Sequence, residues 1–399
     1  MSRTAARVLY VHFNTAGSWL FGKYAFTLMN AGAEVEIACL DQPRDRLVTG
    51  SYDQLVPTKV FGFTPTLTAR SKWLRECQRA RHRFERIRSL QRLRRYLLAS
   101  HPTHVIAGDP PALGLCAPAA LRCGASLIYT PFEFYPKVAG TNVRQTTKYE
   151  RHEQNHIEEA SAIVFLGQSI LEYYRQKYPS LAAKSHVIYS SWPAAADGGD
   201  LRLRREAKIG AGKKIILYQG IIEEDRGLLN VVRALKALPS DTLLVVVGYG
   251  SASGILERCA VELGVRDRLF ILPPVPQAAL MSYTKDADIG IIPLLDAKSH
   301  RYACPGKLFE YIAAELALVV SDMPDLRRIV EHYRIGEVYP SQSVEQLTKA
   351  LCNLVENTDY RQTCSANARQ AHAEDLCWEK QSAKFCGIVL NSHQSVCAP

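Results

Sequence analysis

The chain has 399 residues, of which 47% are hydrophobic and 22% are charged, and its formal net charge is +10 at pH 7. This balance is typical of a globular protein, and the length is sufficient for two domains of ordinary size. We find neither an apolar run of about 18 residues nor a secretory signal before the first strand-like run, so we expect no transmembrane helix and no export. The eleven cysteines form no C-x-x-C pair, which favours reduced thiols in the cytoplasm over a disulfide framework or a zinc site.

Strand-like apolar runs alternate with helical stretches along the whole chain. In the first half the runs are 8–13, 35–40, 104–108, 127–131, 162–166 and 186–189, and in the second half they are 215–218, 243–247, 269–272, 289–293 and 318–321. Many of them are apolar without interruption, as in parallel strands that are covered on both faces. The alternation therefore predicts an α/β protein with doubly wound sheets.

Most of the positive charge is concentrated between residues 70 and 95. The basic residues of this stretch are Arg70, Lys72, Arg75, Arg79, Arg81, Arg83, Arg86, Arg88, Arg92, Arg94 and Arg95. Apolar residues recur among them at helical spacing, namely Trp73, Cys77, Ala80, Phe84, Ile87, Leu90 and Leu97, which predicts a basic amphipathic helix or a pair of helices. Such a helix could dock on an anionic membrane surface, or it could pack on its own domain with a solvated arginine face. No recognised nucleic-acid-binding module accompanies the arginines, so we expect no nucleic acid partner.

A linker of small residues, proline and glycine at 190–200 separates the two series of strands. We therefore predict one domain over residues 1–195 and a second over residues 205–375. Ligands of doubly wound sheets bind beyond the carboxyl ends of the strands, so two such sheets could share one site in an interdomain cleft.

Three residues at predicted strand ends are candidates for ligand contacts in the first domain. Gly17 lies in the first βα turn, where a glycine permits close backbone approach, although an ordinary turn also explains it. Asp109 could face the cleft or cap the following helix. Glu133 lies among aromatic residues and prolines, where it could hold a sugar hydroxyl or bond to nearby backbone.

The second domain carries a stronger pattern at its strand–helix junctions. Arg226 stands beside a glycine at a helix start, as a phosphate clamp requires, and Gly248 and Gly250 form a small turn after a strand. Lys307 and Glu310 share the first turn of a helix, whose free N–H groups and partial positive charge favour a diphosphate. The order of these features indicates a nucleotide diphosphate held by two cations and a ribose-binding carboxylate.

In this order the motifs resemble those of the retaining GT-B glycosyltransferases, especially the family 4 group with nucleotide-sugar donors. The segments that carry the resemblance are Tyr218-Gln219-Gly220, Arg226-Gly227, Val247-Gly248-Tyr249-Gly250, Ala287-Asp288-Ile289-Gly290-Ile291-Ile292-Pro293 and Pro305-Gly306-Lys307-Leu308-Phe309-Glu310-Tyr311. The resemblance implies a GT-B fold in which two Rossmann-like domains face an interdomain cleft. Residues 1–195 would bind the acceptor, residues 205–375 would bind the donor, and a C-terminal helix at about 376–395 would cross back to the first domain.

The resemblance also implies roles for individual residues. Arg226 and Lys307 would bind the donor diphosphate, and Glu310 would be the second glutamate of the E-x7-E motif and hold the ribose. Stabilising the departing diphosphate would be the main catalytic term in a transfer that retains the anomeric configuration. Further donor contacts are assigned to Gly17, Gly220, Gly248, Gly250, Tyr302 and Leu308, and acceptor contacts to Asp109 and Glu133. The donor would be UDP- or GDP-linked and serve as a substrate, with no separate cofactor and no metal.

Several positions depart from the family pattern. Tyr302 replaces the first glutamate of E-x7-E, and Ile221 replaces the first cation after the strand glycine. His300 or Arg301 could take over part of the lost role.

The Pro-x-Lys-Leu-Phe-Glu-Tyr branch commonly works on bacterial cell-surface polysaccharides, so we expect a lipid-linked glycan acceptor at the inner face of the cytoplasmic membrane, bound through the basic stretch. The alternatives are a scaffold that partners an active glycosyltransferase and, less in keeping with the motif, a sugar-nucleotide epimerase.

Overall fold

A computed structural model describes residues 5–13, 19–40, 55–62, 72–137, 142–194, 199–297 and 299–392, with backbone alone for 19, 72–79 and 137. The chain divides into two compact units. The first comprises Met1–Leu166, Leu171–Ile188 and Ser382–Pro399, and the second comprises Gly167–Ile170 and Tyr189–Gln381.

The N-terminal half of the chain forms a parallel sheet of seven strands in the order β3-β2-β1-β4-β5-β6-β7. Its strands are β1 (Arg7–His12), β2 (Glu34–Cys39), β3 (Thr58–Val60), β4 (His104–Ala107), β5 (Ser126–Tyr129), β6 (Ala162–Phe165) and β7 (Ser185–Val187). Its helices are α1 (Trp19–Asn30), α2 (Lys72–Ser100), α3 (Pro110–Cys123), α4 (Val143–His156) and α5 (Gln168–Lys177). The strand order reverses direction between β1 and β4, which makes that position a topological switch point.

The second half forms a parallel sheet of six strands in the order β10-β9-β8-β11-β12-β13. Its strands are β8 (Lys214–Ile221), β9 (Thr242–Tyr249), β10 (Leu269–Leu272), β11 (Ile289–Ile292), β12 (Ala317–Ser321) and β13 (Gly336–Tyr339). The helices are α6 (Leu203–Glu206), α7 (Leu228–Leu235), α8 (Ser253–Glu262), α9 (Leu280–Thr284), α10 (Gly306–Ala313), α11 (Pro324–Tyr333), α12 (Val344–Glu356), α13 (Thr358–Ala371) and α14 (Trp378–Asn391). The switch point of this sheet lies between β8 and β11.

The continuous apolar strands are buried on both faces, as their sequences predict. In β8, Leu217 packs in one apolar layer with Val245 and Leu308, while its neighbour Ile216 packs in the opposite layer with Leu244. Each predicted run overlaps an observed strand, and the predicted doubly wound α/β fold is confirmed. The structure adds two short strands that the sequence pattern missed, β3 and β13.

Residues 72–95 of the basic stretch form part of a single helix, α2, which packs against α3, and Arg70 lies outside the described residues. The prediction that its apolar residues share one face is wrong among the side chains that the structure describes. Leu93 and Leu97 are buried, but Phe84 is 56% exposed and Ile87 is 47% exposed. Successive residues turn by about 100° around a helix, so Phe84 and Ile87 lie on the side opposite Leu93. None of the helices in the described ranges is both long and apolar enough to cross a membrane.

The chain ends in α14, which begins in the second unit and continues into the first. The aromatic ring of Phe385 packs edge-on against Tyr24 of α1, with ring centroids 4.7 Å apart. Both side chains are fully buried. Residues 382–392 therefore contribute to the core of the first unit.

Candidate functional site

The loops that follow β8 and β11 meet at the switch point of the second sheet. Gly227 adopts a φ of +72°, and a Cβ atom there would lie 1.9 Å from the carbonyl oxygen of Pro293. The backbone N–H of Leu295 donates to the carbonyl of Asp225 at 3.1 Å. The loop that carries Arg226 is thereby held against the loop after β11, at the edge where parallel sheets bind ligands.

Helix α10 is fixed over the end of β8 by Tyr311. The Tyr311 hydroxyl accepts a hydrogen bond from the backbone N–H of Gln219 at 3.0 Å and donates to the carbonyl of Leu217 at 3.2 Å. Tyr311 is fully buried, and it lies on the side of α10 that faces the sheet. This anchoring places Lys307 and Glu310, both only partly buried, beside the carboxyl end of β8.

The Lys307 ammonium group lies 3.8 Å from the centre of the Tyr218 ring. It is also close to the end of β8, because a Cβ atom on Gly220 would lie 3.1 Å from Lys307 Nζ. Burial, reinforced by the charge of Arg226 and opposed by Glu310, lowers the pKa of Lys307 to about 7. A partly desolvated lysine beside a second cation is an arrangement that an anion stabilises.

A chain of hydrogen bonds holds the Glu310 carboxylate in place. The side-chain amide of Gln219 donates to Glu310 Oε2. The Thr284 hydroxyl in turn donates to Gln219 Oε1 at 3.0 Å. Both Gln219 and Thr284 are buried, so they fix the direction in which the Glu310 carboxylate points.

Arg226 ends a single 3-10 turn, Glu224–Arg226, immediately before α7. Its Nε atom lies 3.5 Å from Asp225 Oδ1. Both atoms are buried, and neither has a hydrogen-bond partner among the described residues. The Arg226 side chain thus lies close enough to Lys307 to lower the pKa of that lysine, with donor capacity unused. A diphosphate is the kind of ligand that two such cations can hold.

The other predicted donor residues have more varied positions. Gly248 and Gly250 are needed where β9 passes β8, since Cβ atoms there would lie 1.9 Å from the Gly220 carbonyl oxygen and 2.0 Å from that of Ile222. Leu308 is fully buried, and its N–H donates to the Pro305 carbonyl, so it acts as a core residue of α10. Tyr302 is partly buried at the end of the 3-10 turn His300–Tyr302, and Gly17 lies outside the described residues.

At the switch point of the first sheet, Asp109 is fully buried and both of its oxygens are engaged. Oδ1 caps α3 by accepting from the Ala112 N–H at 2.8 Å, and Oδ2 accepts from the Phe13 N–H at 2.7 Å. His12 Nε2 lies 3.4 Å from Oδ2, and burial lowers the pKa of His12 while Asp109 opposes this shift. Asp109 therefore serves the framework of the strand ends, where a direct acceptor contact was expected. Glu133 is exposed on the turn after β5.

Sequence reasoning identified the charged residues of the second sheet but missed the side chains that position them. Tyr218 and Gln219 directly precede Gly220 at the end of β8, and this adjacency was the available signal. His12 ends β1, yet nothing in its local sequence indicates that it contacts Asp109, which lies 97 positions away in the chain. No group of three or more His, Cys, Asp or Glu side chains in the described ranges has the geometry of a metal site.

Comparisons with solved structures define the class of fold. Anabaena Alr3699/HepE in complex with UDP-glucose superimposes with a TM-score of 0.71 over 98% of this chain and 99% of that chain, at 14% identity. WaaG, a glycosyltransferase involved in lipopolysaccharide biosynthesis, superimposes with a TM-score of 0.64 over 97% of this chain and 99% of that one, at 17% identity. Two doubly wound α/β domains of this kind are the GT-B architecture.

Family models identify both halves of the chain. Residues 200–371 match the model "Glycosyl transferases group 1", and residues 21–190 match the "Glycosyl transferase 4-like domain". With the fold, these matches place the chain among the GT-B glycosyltransferases.

Curated relatives match over part of their length. The putative colanic acid biosynthesis glycosyl transferase WcaI of Escherichia coli K12 is 29% identical over 164 residues, which are 39% of this chain and 39% of the relative. The D-inositol 3-phosphate glycosyltransferase of Thermobispora bispora is 23% identical over 205 residues, which are 48% of this chain and 46% of the relative. The matched segments thus span less than half of these two relatives.

Proposed function

We propose that this chain transfers a sugar from a nucleotide diphosphate donor to an acceptor. The observation that carries the proposal is the cluster of Arg226, Lys307 and Glu310 at the switch point of the second sheet. Arg226 and Lys307 offer two cations to a diphosphate, and Glu310 offers a positioned carboxylate to ribose hydroxyls. The complexes of HepE with UDP and with UDP-glucose support a uridine nucleotide as the donor.

The chemistry that these residues would perform is the stabilisation of a leaving group. As the bond from the sugar to the diphosphate breaks, negative charge accumulates on the diphosphate oxygens. Lys307 and Arg226 would be in place before the reaction, and their surroundings exclude much of the water that would otherwise screen them. In a front-face transfer with retention of configuration, the departing phosphate takes the acceptor proton, so the scheme needs no protein base.

Binding of nucleotides tests the donor site directly. Lys307→Ala and Glu310→Ala should each weaken the binding of UDP-glucose by about 1–3 kcal/mol, the usual cost of losing a charged hydrogen bond. Calorimetry with UDP-glucose, UDP and GDP would measure this loss. Lys214 is a suitable control because it lies at the opposite end of β8 and pairs with Asp241 at 3.6 Å. If Lys307→Ala binds as tightly as Lys214→Ala does, Lys307 does not belong to the donor site.

For the acceptor, we propose a lipid-linked glycan at the cytoplasmic face of a membrane. Helix α2 supports this because exposed Phe84 and Ile87 stand among exposed arginines that include Arg83, Arg86 and Arg88. Apolar side chains within a basic surface match an anionic bilayer, where each basic residue contributes about 1 kcal/mol near the headgroups. The names of WcaI and WaaG, which refer to colanic acid and lipopolysaccharide biosynthesis, support a glycan of the cell surface.

Flotation with liposomes tests the membrane proposal. The triple variant Arg83→Glu, Arg86→Glu and Arg88→Glu should lose binding to vesicles of phosphatidylglycerol and phosphatidylethanolamine while retaining its affinity for nucleotide. A matched variant reverses the charge of three exposed lysines of the second unit, namely Lys208, Lys213 and Lys236. Equal losses in the two variants would indicate an effect of net charge alone and would count against docking through α2.

A second candidate function is that of a scaffold that partners an active glycosyltransferase. Ile221 favours it, because this side chain is 47% exposed at the end of β8, where the family has a cation. A thermal-shift screen with nucleotide diphosphates separates the two functions. Stabilisation by UDP or GDP supports the transferase, and an unchanged melting temperature with every nucleotide supports the scaffold.

A further inference from the structure

We infer that His300 positions Arg226 for the donor diphosphate by holding Asp225, and that it does so only in its protonated form. The inference rests on the proposed function, since it concerns the same diphosphate site. His300 is 4% exposed and lies on the loop after β11, between the switch-point strand and α10.

The two ring nitrogens of His300 face acceptors. Nδ1 lies 2.9 Å from the backbone carbonyl oxygen of Leu295, which can only accept a hydrogen bond, so Nδ1 must carry the proton in this contact. Nε2 lies 3.3 Å from Asp225 Oδ2. A neutral ring with its proton on Nδ1 would turn a lone pair toward the carboxylate. Only the imidazolium form, with N–H groups on both sides, satisfies the two contacts together.

The contact of His300 with Asp225 is one of the polar contacts that hold the loop of Arg226. At its start, the Ser251 hydroxyl donates to Glu223 Oε2 at 2.6 Å. At its end, Leu295 and His300 bind Asp225. Between the loop and the helices beside it lies a cavity of about 540 Å³, which is lined by Leu228, Ile255 and Val344. Because the cavity provides no packing on that side of the loop, the polar contacts determine where the loop lies.

Asp225 links His300 to the arginine. Asp225 Oδ2 faces His300, while Oδ1 lies 3.5 Å from Arg226 Nε. With Oδ2 bound by the imidazolium, the carboxylate is fixed in rotation and Oδ1 stays beside the guanidinium group. Once His300 loses its proton, the lone pair of Nε2 repels Oδ2, and Asp225 no longer fixes the direction of Arg226.

Several charged groups on the packed elements form ion pairs of their own. On the loop of His300 itself, Arg301 binds Asp296 with contacts of 2.6 and 2.5 Å. Helix α11 packs against this turn, and its charged side chains form the pairs Asp325–Arg328 and Arg327–Glu331. Among the described residues, His300 forms an ion pair with Asp225.

Three variants separate positioning from simple packing. His300→Gln can still donate from Nε2 to Asp225, without any titration. His300→Asn can replace the bond from Nδ1 to Leu295 but does not reach Asp225. Asp225→Asn reverses the requirement for a protonated His300, because its side-chain amide can donate to the unprotonated Nε2 of the neutral ring. All three are compared in the Lys307→Arg background, where the second cation keeps its charge at every pH.

The measurement is the affinity for UDP-glucose between pH 5.5 and 8.5, since its diphosphate does not titrate in this range. In the Lys307→Arg background, affinity should fall by about fivefold or more as pH rises, a typical coupling between linked groups. His300→Gln should bind with nearly constant affinity across the range. His300→Asn should bind weakly throughout, and Asp225→Asn should lose the fall or bind more tightly at high pH. In parallel, NMR of labelled histidine should show His300 protonated at both nitrogens at pH 6.

Each outcome decides the inference. A fall in affinity that persists unchanged in His300→Gln, or a His300→Asn variant that matches its parent at every pH, would overturn it while the donor site stands. A His300 ring that NMR shows to be neutral at pH 6 would also overturn it. If neither UDP-glucose, UDP nor GDP binds the unmodified protein, the proposed function itself fails, and the inference fails with it.

Discussion

The two sheets have switch points of the same kind, yet the charged groups there are used in opposite ways. At the β1/β4 switch point, Asp109 is buried and its oxygens accept from the N–H groups of Ala112 and Phe13, while His12 Nε2 lies 3.4 Å from Oδ2. At the β8/β11 switch point, Lys307 is partly desolvated, and Arg226 Nε lacks a hydrogen-bond partner among the described residues. The first arrangement is complete without a ligand, whereas the second gains most when an anion arrives. Unsatisfied charge, more than the position in the fold, therefore distinguishes the proposed donor side.

The comparison predicts its largest effect on stability at Asp109. Asp109→Ala removes a helix cap and leaves the N–H groups of Ala112 and Phe13 unpaired, so it should lower the free energy of unfolding by about 2–4 kcal/mol. Chemical denaturation followed by circular dichroism would measure the loss. Asp109→Asn keeps one acceptor oxygen and should lose less. Nucleotide affinity of the folded variant should be unchanged, and a large drop would show that Asp109 does act in donor binding.

The two units should also respond to pH through different groups. In the first, Glu153 accepts from the hydroxyls of Tyr129 and Tyr174 at 2.7 and 2.5 Å, and burial raises the pKa of this carboxyl to about 7 although both hydrogen bonds lower it. In the unfolded chain Glu153 loses its proton near pH 4.5, so stability is fully present below that pH and is lost as pH rises through 7. The shift corresponds to about 3 kcal/mol.

Glu153→Gln tests this pH dependence. Between pH 5 and 8, the free energy of unfolding of this variant should fall less than that of the unmodified protein. The two decreases should differ by about 3 kcal/mol. Denaturation curves at several pH values would show the difference. The exposed carboxylate Glu133 provides a control, and Glu133→Gln should leave the pH profile unaltered.

In the second unit the pH response should appear in binding. The pKa of Lys307 is lowered to about 7, and a bound diphosphate favours the charged form, so binding takes up a proton. Affinity for UDP-glucose should therefore fall as pH rises above 7, by up to about tenfold per pH unit. Calorimetry in buffers of different ionisation enthalpy would detect the proton. Lys307→Arg should lose the part of this proton uptake that belongs to Lys307 and keep only the part inferred for His300, and an undiminished uptake there would place the titrating group elsewhere.

The smallest expected effect concerns Gln219. Gln219→Leu removes the donor that fixes Glu310 and should weaken nucleotide binding by about 1 kcal/mol. Thr284→Val removes the next hydrogen bond in the chain and should have a smaller effect in the same direction. Equal affinities in Gln219→Leu and the unmodified protein would indicate that Glu310 needs no such support.

The sequence was sufficient to predict the central strands and the Lys307–Glu310 pair, because both depend on local patterns. Continuous apolar runs identify strands that are covered on both faces, and a three-residue spacing places two side chains on one helix turn. The strand β3 was missed because its three residues are all exposed, and β13 because it starts with glycine and contains a glutamate.

The contacts between distant segments could not be predicted in the same way. The pairing of His300 with Asp225 depends on how the loop after β11 meets the loop after β8, and the anchoring by Tyr311 depends on how α10 lies over β8. Phe84 and Ile87 follow helical spacing, yet only the packing of α2 decides which face is buried. Such features follow from tertiary structure, which a periodic pattern does not encode.

The return of α14 to the first unit has a consequence for the order in which the protein is made. Tyr24 is synthesised more than three hundred residues before its partner Phe385. The first unit therefore cannot close its core until Phe385 has been synthesised, even though its seven strands are available before then. The second unit, whose strands are contiguous in the chain, can finish folding earlier.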